Sequence, residues 1–220
     1  MLTPVKEFLA KQARMPYGWF GRLVAPRVFN KENKAMEAFA YELVKPEKAD
    51  TLLEIGFGNG RLISEIMSLI DEGKVYGVEL SEAMLDRARA KNKQWLEHGK
   101  LELKQGSVTE LPYPDATFDK VFTVNTIYFW PDPENNLKEI KRVLKPGGYF
   151  ICVMRLKDQM TALNGPFKNS IVTNNRAIFE NLFDGGAAKA LFESAGFQEV
   201  RVQSKPTQEG SLNAVTGFNS

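Results

Sequence analysis

The stretch from Leu52 to Gly60, Leu-Leu-Glu-Ile-Gly-Phe-Gly-Asn-Gly, limits the possible folds of this chain more than any other. A short apolar segment runs into a turn with three glycines, and an apolar pattern of helical spacing follows from Leu62 to Ile70. A strand that passes through glycines into a helix lets the backbone approach a ligand closely. This order of elements is typical of nucleotide-binding α/β folds.

The segments around this turn predict a mainly parallel sheet. Apolar, strand-like runs occur at Thr51–Ile55, Val75–Val78, Leu101–Lys104, Phe118–Val124 and Tyr149–Met154. Helical patterns or connections of similar length separate them, as in parallel sheets covered on both faces. Two more strands, Phe197–Val202 and Leu212–Phe218, are expected to form an antiparallel hairpin at the sheet edge. The predicted fold is therefore α/β, with a Rossmann-like, mainly parallel seven-stranded sheet and helices on both faces.

Residues 1–46 precede this pattern and are predicted to form an N-terminal helical cap or lid. A helix is expected over residues 30–44, and a broken aromatic segment with Tyr17 and Trp19 comes before it. Residues 1–35 carry seven basic and two acidic side chains. A transit peptide is one interpretation, although the stretch has no serine; a basic cap near an acidic ligand or membrane surface is a second, and a solvated helix face is a third.

Composition excludes several classes of protein. The single cysteine, Cys152, rules out a disulfide framework and a Cys-x-x-Cys zinc site, and His98 is the sole candidate for a histidine ligand or catalytic triad. No run reaches the ~18 apolar residues that cross a bilayer. The chain has 29 basic and 27 acidic residues, which argues against a nucleic-acid partner. We expect a cytoplasmic protein without a metal site or stable membrane insertion.

The spacing of the glycines separates the nucleotide-binding folds from one another. Dinucleotide enzymes use Gly-x-Gly-x-x-Gly, whose third glycine would fall on Arg61, and a phosphate loop would end in Gly-Lys-Ser/Thr. Here Glu54 precedes the glycines, and Glu79 ends the second predicted strand, where an acid can accept hydrogen bonds from ribose hydroxyls. A surface glutamate before a helix cap is the alternative for Glu79, and an NAD(P)-dependent oxidoreductase stays open.

Four segments together resemble the motifs of class I S-adenosylmethionine-dependent methyltransferases. LLEIGFGNG is similar to the first motif of that family, and VYGVELSEAML is similar to its acidic second-strand motif. GSVTELPYPDATFDKVF resembles the region of the third and fourth strands, and LKPGGYF resembles the turn into the fifth. The resemblance covers residues 50–155 and is greatest to the small-molecule branch that includes the ubiquinone/menaquinone-biosynthesis enzymes (methyltransferase type 11).

The resemblance implies S-adenosyl-L-methionine as the cofactor. The glycines would pass under its methionyl part, Glu54 would position its ammonium group, and Glu79 would hold the ribose. Ser107 stands where many relatives place an aspartate against the adenine amino group. The predicted cofactor-binding residues are Glu54, Gly56, Phe57, Gly58, Gly60, Glu79, Leu80, Met84, Ser107, Val108 and Asn125.

The methyl acceptor is expected beyond the carboxyl ends of strands four and five. The predicted substrate-binding residues are Tyr17, Trp19, Tyr128, Trp130 and Arg155, with core packing of the aromatic side chains as the alternative. The sequence Asn125-Thr126-Ile127-Tyr128 lacks the Asn/Asp-Pro-Pro-aromatic pattern of nucleic-acid and protein amino-methylating relatives. No catalytic base is assigned, and His98 is predicted to lie at the surface.

The predicted function is methyl transfer to a small organic acceptor by in-line displacement. Residues 47–220 would form the cofactor-binding domain, with a substrate-cap insertion at 155–185. The aromatic residues and the basic start favour a flat or anionic acceptor, such as a quinone precursor. Two further functions stay open, namely non-methyl use of the same cofactor fold and non-catalytic sensing by cofactor binding. The oligomeric state is not predicted.

Overall fold

The computed structural model of the chain describes residues 12, 25–162, 182–208 and 210–220. Its strands are β1 Thr51–Ile55, β2 Lys74–Glu79, β3 Leu101–Gln105, β4 Phe118–Val124, β5 Leu144–Met154, β6 Gln198–Thr207 and β7 Gly210–Phe218. Its helices are α1 Ala25–Val44, α2 Arg61–Met67, α3 Glu82–Lys91, α4 Lys93–Glu97, α5 Pro133–Val143, α6 Lys157–Ala162 and α7 Gly185–Ser194, with a 3₁₀ turn at Ile127–Phe129.

The strands form one sheet in the order β3-β2-β1-β4-β5-β7-β6. Strands β1 to β5 pair in parallel, and β7 pairs antiparallel with both β5 and β6. This order confirms the predicted Rossmann-like sheet and the C-terminal hairpin at its edge. The strand order reverses between β1 and β4, and ligands of open α/β sheets bind at such a reversal.

Both faces of the sheet are covered, because neighbouring residues of each central strand enter different apolar clusters. In β1, Leu53 packs with the side chains of α5 and α7, whereas Leu52 packs with those of α1, α2 and α3. Both leucines are fully buried. Strands buried on both faces are characteristic of parallel sheets between helical layers, and the prediction of helices on both faces is confirmed.

Three local predictions need correction. The apolar residues Met84, Leu85, Ala88 and Trp95 after Ser81 predict one helix that ends near Gly99. The structure has two helices there, α3 and α4, which meet at Asn92. The spacing of Leu137, Ile140, Val143 and Leu144 predicts Leu144 on the inner face of a helix. Leu144 instead begins β5 and pairs with Phe118, since a proline two residues later disfavours further helix. The helix expected over residues 30–44 starts at Ala25, because the first turn of a helix tolerates Pro26.

Several predictions concern residues outside the described ranges. These are a short helix that the spacing of Leu2, Val5, Phe8 and Leu9 predicts, the aromatic side chains Tyr17 and Trp19, and most of the predicted cap insertion at 155–185. Of the predicted cap at 1–46, the structure describes Gln12 and α1, which packs against β4 and β5.

Candidate functional site

The glycine turn between β1 and α2 holds three left-handed residues: φ is +71° at Gly56, +56° at Gly58 and +71° at Gly60. A Cβ atom at Gly56 would lie 2.6 Å from Thr126 Cγ2, and one at Gly60 would lie 2.8 Å from Ala88 Cβ. A Cβ at Gly58 would meet no atom of the described chain within 4 Å. Packing therefore requires two of the glycines, whereas the third presents open backbone to an approaching ligand.

Asn92 holds the glycine turn in place by hydrogen bonds, and it is fully buried at the junction of α3 and α4. Its side-chain amide donates hydrogen bonds to the carbonyl oxygens of Gly60 (3.1 Å) and Ala88 (2.9 Å). Its Oδ1 accepts one from the Ser64 hydroxyl at 2.6 Å. This residue was not among those predicted from the sequence. Its position could have indicated a role, because Asn92 follows the inward-facing Ala88 by four residues and so brings a polar side chain to the buried face of the helix.

Glu79 ends β2 beside the turn and is buried rather than at the surface. Its Oε2 accepts a hydrogen bond from the backbone N–H of Gly58, and its Oε1 accepts one from Ser81, both at 2.9 Å. Burial raises the pKa of Glu79, while backbone hydrogen bonds from Ser81, Gly58 and Leu80 act in the opposite direction. The parallel pairing of β1 with β2 thus brings this carboxylate to the glycine turn.

Glu54 lies on β1 two residues before the first glycine and is 3% exposed. Its Oε2 has no hydrogen-bond partner in the described part of the chain. Burial raises the pKa of Glu54 well above its usual value, and repulsion from Glu37, Glu79 and Glu65 raises it further. A buried acid near the end of β1, with one oxygen that lacks a donor, fits a site for a cationic or hydrogen-bond-donating group.

Asn125 follows β4 on the other side of β1 and adopts a left-handed conformation, with φ of +60°. Asparagine tolerates this region better than most residues. Its Nδ2 donates to Asn33 Oδ1 of α1 at 3.1 Å. Its own Oδ1 is buried and, within the described ranges, unpartnered. Two acceptor atoms without donors, on Glu54 and Asn125, therefore belong to neighbouring strand ends.

The residues predicted to contact adenine follow the ends of β2 and β3, with Met84 in the first turn of α3. Met84 and Val108 are buried, whereas Leu80 is 37% exposed. The Gln105 amide donates to the Leu80 carbonyl at 3.2 Å, which ties the two strand ends together. Ser107 Oγ accepts from the backbone N–H and hydroxyl of Thr109 at 3.2 and 2.9 Å. The side chain of Phe57 packs over Gly77, where a Cβ would come within 2.5 Å of its ring.

The predicted substrate residues Tyr128 and Trp130 are buried in the apolar cluster on the α5 and α7 side of the sheet. The Tyr128 hydroxyl accepts a hydrogen bond from the backbone N–H of Arg155. Burial raises the pKa of Tyr128. Both rings contribute to packing here, and their contact with an acceptor stays a prediction, as does that of the half-buried Arg155.

Arg61, the first residue of α2, is a site residue for which the sequence predicted no role. Its guanidinium forms an ion pair with Glu37 of α1, and its Nη1 lies 3.6 Å from Glu65 Oε1. Burial raises the pKa of Glu37, and the charge of Arg61 acts against that shift. This ion pair connects α1 to the glycine turn. The sequence does not indicate this ion pair. Spacing rules pair residues three or four positions apart on one helix, whereas Glu37 and Arg61 lie on different helices.

The single histidine and the single cysteine of the chain are not assigned to the site. His98 is exposed, as predicted, with its ring Nδ1 2.6 Å from the Gln94 carbonyl oxygen. Burial raises the pKa of the Cys152 thiol. Within the described ranges no cluster of His, Cys, Asp or Glu has a composition that would bind a metal ion. Helices long and apolar enough to span a bilayer are likewise absent from that part of the chain.

The donor and acceptor set of this edge fits S-adenosylmethionine. The open backbone at Gly58 leaves room for the ligand, and Glu79 is positioned beside it at the end of the second strand. The unpartnered oxygens of Glu54 and Asn125 suit an ammonium group, which supplies three donors. These residues come from β1, β2 and β4, whose carboxyl ends meet at the reversal of strand order.

Comparison with known proteins shows that this chain is similar to methyltransferases. Residues 53–152 match a family described as a methyltransferase domain. An uncharacterized methyltransferase of Bacillus subtilis, YdaC, is 29% identical over 83% of this chain and 91% of its own length. The ubiquinone/menaquinone biosynthesis C-methyltransferase UbiE of Escherichia coli is 26% identical over 76% of this chain and 74% of its length.

The fold has a solved counterpart in a SAM-dependent methyltransferase from Aquifex aeolicus. The two superpose with a TM-score of 0.67 at 21% identity, over 89% of this chain and 98% of that one. Several curated relatives of higher identity match over only 42% to 55% of their own length. The match to these longer proteins is therefore confined to part of each.

Proposed function

We propose that this chain, whose residues 53–152 match a methyltransferase domain, is an S-adenosylmethionine-dependent methyltransferase that transfers the methyl group to a small organic acceptor by in-line displacement. The observation that carries the proposal is the open backbone of Gly58, which bonds the buried carboxyl group of Glu79 and follows a strand that carries the buried carboxyl group of Glu54. A cationic, ribose-containing cofactor suits this arrangement of charges and acceptors.

The bound cofactor supplies an activated methyl group together with its own leaving group. The protein is then required to bind, orient and exclude water rather than to form a covalent bond. Glu54 and Asn125 would hold the ammonium group, and Glu79 would accept from the ribose hydroxyls. Leu80, Met84, Ser107 and Val108 would surround the adenine, and Phe57 would support the turn. These assignments rest on the strand ends that the sheet brings together.

We place the acceptor above the ends of β4 and β5, under a cap formed by residues 1–46 and 155–185. Contact between α1 and the site supports this position: Asn33 accepts a hydrogen bond from Asn125, and Glu37 forms an ion pair with Arg61. If α1 covers the site through these contacts, the site would suit a small molecule better than a polymer. The absence of the Asn/Asp-Pro-Pro-aromatic pattern after β4 supports the same choice.

A flat or anionic acceptor is the preferred class within this proposal. The aromatic residues after β4 and the basic residues of the first segment favour it, and a relative is named for ubiquinone/menaquinone biosynthesis. No side chain is assigned as a general base, so an acceptor that is already nucleophilic at neutral pH fits best.

The test has two steps on the purified full chain. Thermal unfolding is first followed with S-adenosylmethionine, S-adenosylhomocysteine, NAD and NADP. A ligand at 100 times its dissociation constant stabilises by about 2.7 kcal/mol. We expect a rise in Tm with the two adenosyl compounds alone. Stabilisation by NAD or NADP alone would contradict the proposal and favour an oxidoreductase.

The second step measures transfer of an isotopically labelled methyl group to panels of phenols, quinols, amines and thiols, with a peptide and an RNA pool for comparison. We expect turnover with a small aromatic or anionic acceptor and none with the polymers. Cofactor binding without turnover on any panel would favour a sensor, and turnover on the polymers would overturn the acceptor class.

A further inference from the structure

The guanidinium of Arg61 lies in an acidic part of the site. Glu37 forms an ion pair with it, and Glu65 Oε1 lies 3.6 Å from its Nη1. The same two carboxylates act electrostatically on Glu54, the buried acid before the glycine turn. Arg61 and Glu54 therefore share their charged neighbours, although they belong to different elements.

Arg61 also has an unused donor. Its side chain is 22% exposed, and its Nε is buried without a hydrogen-bond partner in the described ranges. A guanidinium carries five N–H donors in a fixed planar arrangement, and a buried donor without an acceptor is costly. Nη2 faces Glu37 in the ion pair, whereas Nε has neither an ion-pair nor a hydrogen-bond partner in the described ranges.

The amino-acid end of S-adenosylmethionine carries both an ammonium and a carboxylate group. Glu54 Oε2 and Asn125 Oδ1 are unpartnered acceptors and suit the ammonium. The carboxylate would be repelled by Glu37, Glu54 and Glu79 unless a cation lay beside it. Arginine binds carboxylates through paired N–H groups, and Arg61 already contacts this acidic cluster.

We propose that Arg61 binds the α-carboxylate of the cofactor's methionyl moiety, an assignment that rests on the proposed cofactor site at the glycine turn. Glu37 positions the guanidinium from α1, and the ligand carboxylate supplies the missing acceptor. The site accordingly selects adenosyl compounds that retain the amino-acid carboxylate. It also links cofactor binding to the cap, because Glu37 belongs to α1.

The experiment compares the affinities of two ligands by isothermal titration calorimetry. S-adenosylhomocysteine has the carboxylate and the ammonium, whereas 5′-methylthioadenosine has neither. In Arg61→Gln we expect the affinity for S-adenosylhomocysteine to fall about 10- to 100-fold, the range for lost charge-assisted hydrogen bonds. The affinity for 5′-methylthioadenosine should stay unchanged, and Arg61→Lys should give an intermediate loss.

Lys91 supplies the matched control, since its charge also acts on Glu37 but as a weaker influence than Arg61. Lys91→Gln should leave both affinities unchanged. The double variant Glu37→Gln/Arg61→Gln removes both members of the ion pair, so that Glu37 is not left as a half-buried charge without a partner. It can replace Arg61→Gln if that single variant folds poorly. It should show the same selective loss.

Two results would overturn the assignment. Equal losses for both ligands, or an unchanged affinity for S-adenosylhomocysteine, would show that Arg61 does not bind the carboxylate while leaving the cofactor site intact. Absence of binding of both ligands to the unmodified protein would instead overturn the cofactor site and this inference together.

Discussion

The carboxylate of Glu79 joins the end of β2 to the glycine turn, because its Oε2 accepts a hydrogen bond from the backbone N–H of Gly58 at 2.9 Å. Its Oε1 accepts another from Ser81. One buried side chain therefore fixes the turn and, under the proposed function, faces the ribose. Loss of this side chain should affect both the stability of the fold and the affinity for the cofactor.

In Glu79→Ala we expect cofactor affinity to fall by roughly 2–4 kcal/mol, because charge-assisted hydrogen bonds to the ribose are lost. The free energy of unfolding should fall by about 1–3 kcal/mol, since two backbone N–H groups lose their acceptor. Calorimetry with S-adenosylhomocysteine and urea denaturation measure the two effects. Glu82→Ala, at an exposed position of the same segment, should leave the affinity unchanged. An unaltered affinity in Glu79→Ala would contradict the ribose assignment.

Asn92 should be a positioning residue for the turn. Asn92→Ala removes two hydrogen bonds to backbone carbonyls and one from Ser64, and we expect a loss of about 1–3 kcal/mol in unfolding free energy. Cofactor affinity should fall as well, because the Gly60 carbonyl loses its anchor. Ser64→Ala, which removes a single one of these bonds, should cost less in both measurements. If Asn92→Ala is less stable but binds the cofactor with unchanged affinity, the role of Asn92 is structural only.

The pH dependence of cofactor binding should follow Glu54. Burial and neighbouring carboxylates raise its pKa in the free protein, whereas a bound ammonium group would favour the ionised form. Binding should therefore release a proton, so affinity rises with pH up to the free-protein pKa and is constant above it. Titration in two buffers of different ionisation enthalpy measures the released proton.

Glu54→Gln should reduce this proton release and weaken cofactor binding. The variant should also be more stable than the unmodified protein at neutral pH. A carboxyl group whose folded pKa is raised stabilises the fold at low pH and loses that contribution as pH rises through the raised value. Glu65→Gln, at a half-exposed side chain, is the matched control. Equal proton release in both variants would exclude Glu54 as the source.

Sequence patterns predicted the sheet and the strand ends that form the site, because these depend on local signals. The Leu52–Gly60 stretch combines a strand with a glycine turn and leads directly into α2. Serine is a common N-cap residue, and Ser81 caps α3. The hairpin of β6 and β7 was likewise evident, although its strands are longer than expected.

Contacts between segments far apart in the sequence could not be predicted, since no spacing encodes them. The ion pair of Glu37 with Arg61, the hydrogen bond of Asn33 with Asn125 and the bond from Asn92 to Gly60 all join distant segments. The burial of the aromatic residues after β4 could not be predicted either. Tyr128 could be recognised as aromatic and near a strand end, but its burial depends on how α5 and α7 cover the sheet.

The most direct test of the cofactor site compares Gly58→Ala with Gly99→Ala. Both glycines are left-handed, at +56° and +69°, and a Cβ at either would meet no atom of the described chain within 4 Å. Both variants should lose about 1–2 kcal/mol of stability. Alanine at Gly58 keeps the N–H that bonds Glu79, but its methyl group would occupy the space left for the ligand.

Calorimetric titration with S-adenosylhomocysteine should therefore give a dissociation constant at least about tenfold higher for Gly58→Ala, or ~1.4 kcal/mol, and an unchanged value for Gly99→Ala. Equal dissociation constants for both variants and the unmodified protein would place the cofactor elsewhere and contradict the account of this site.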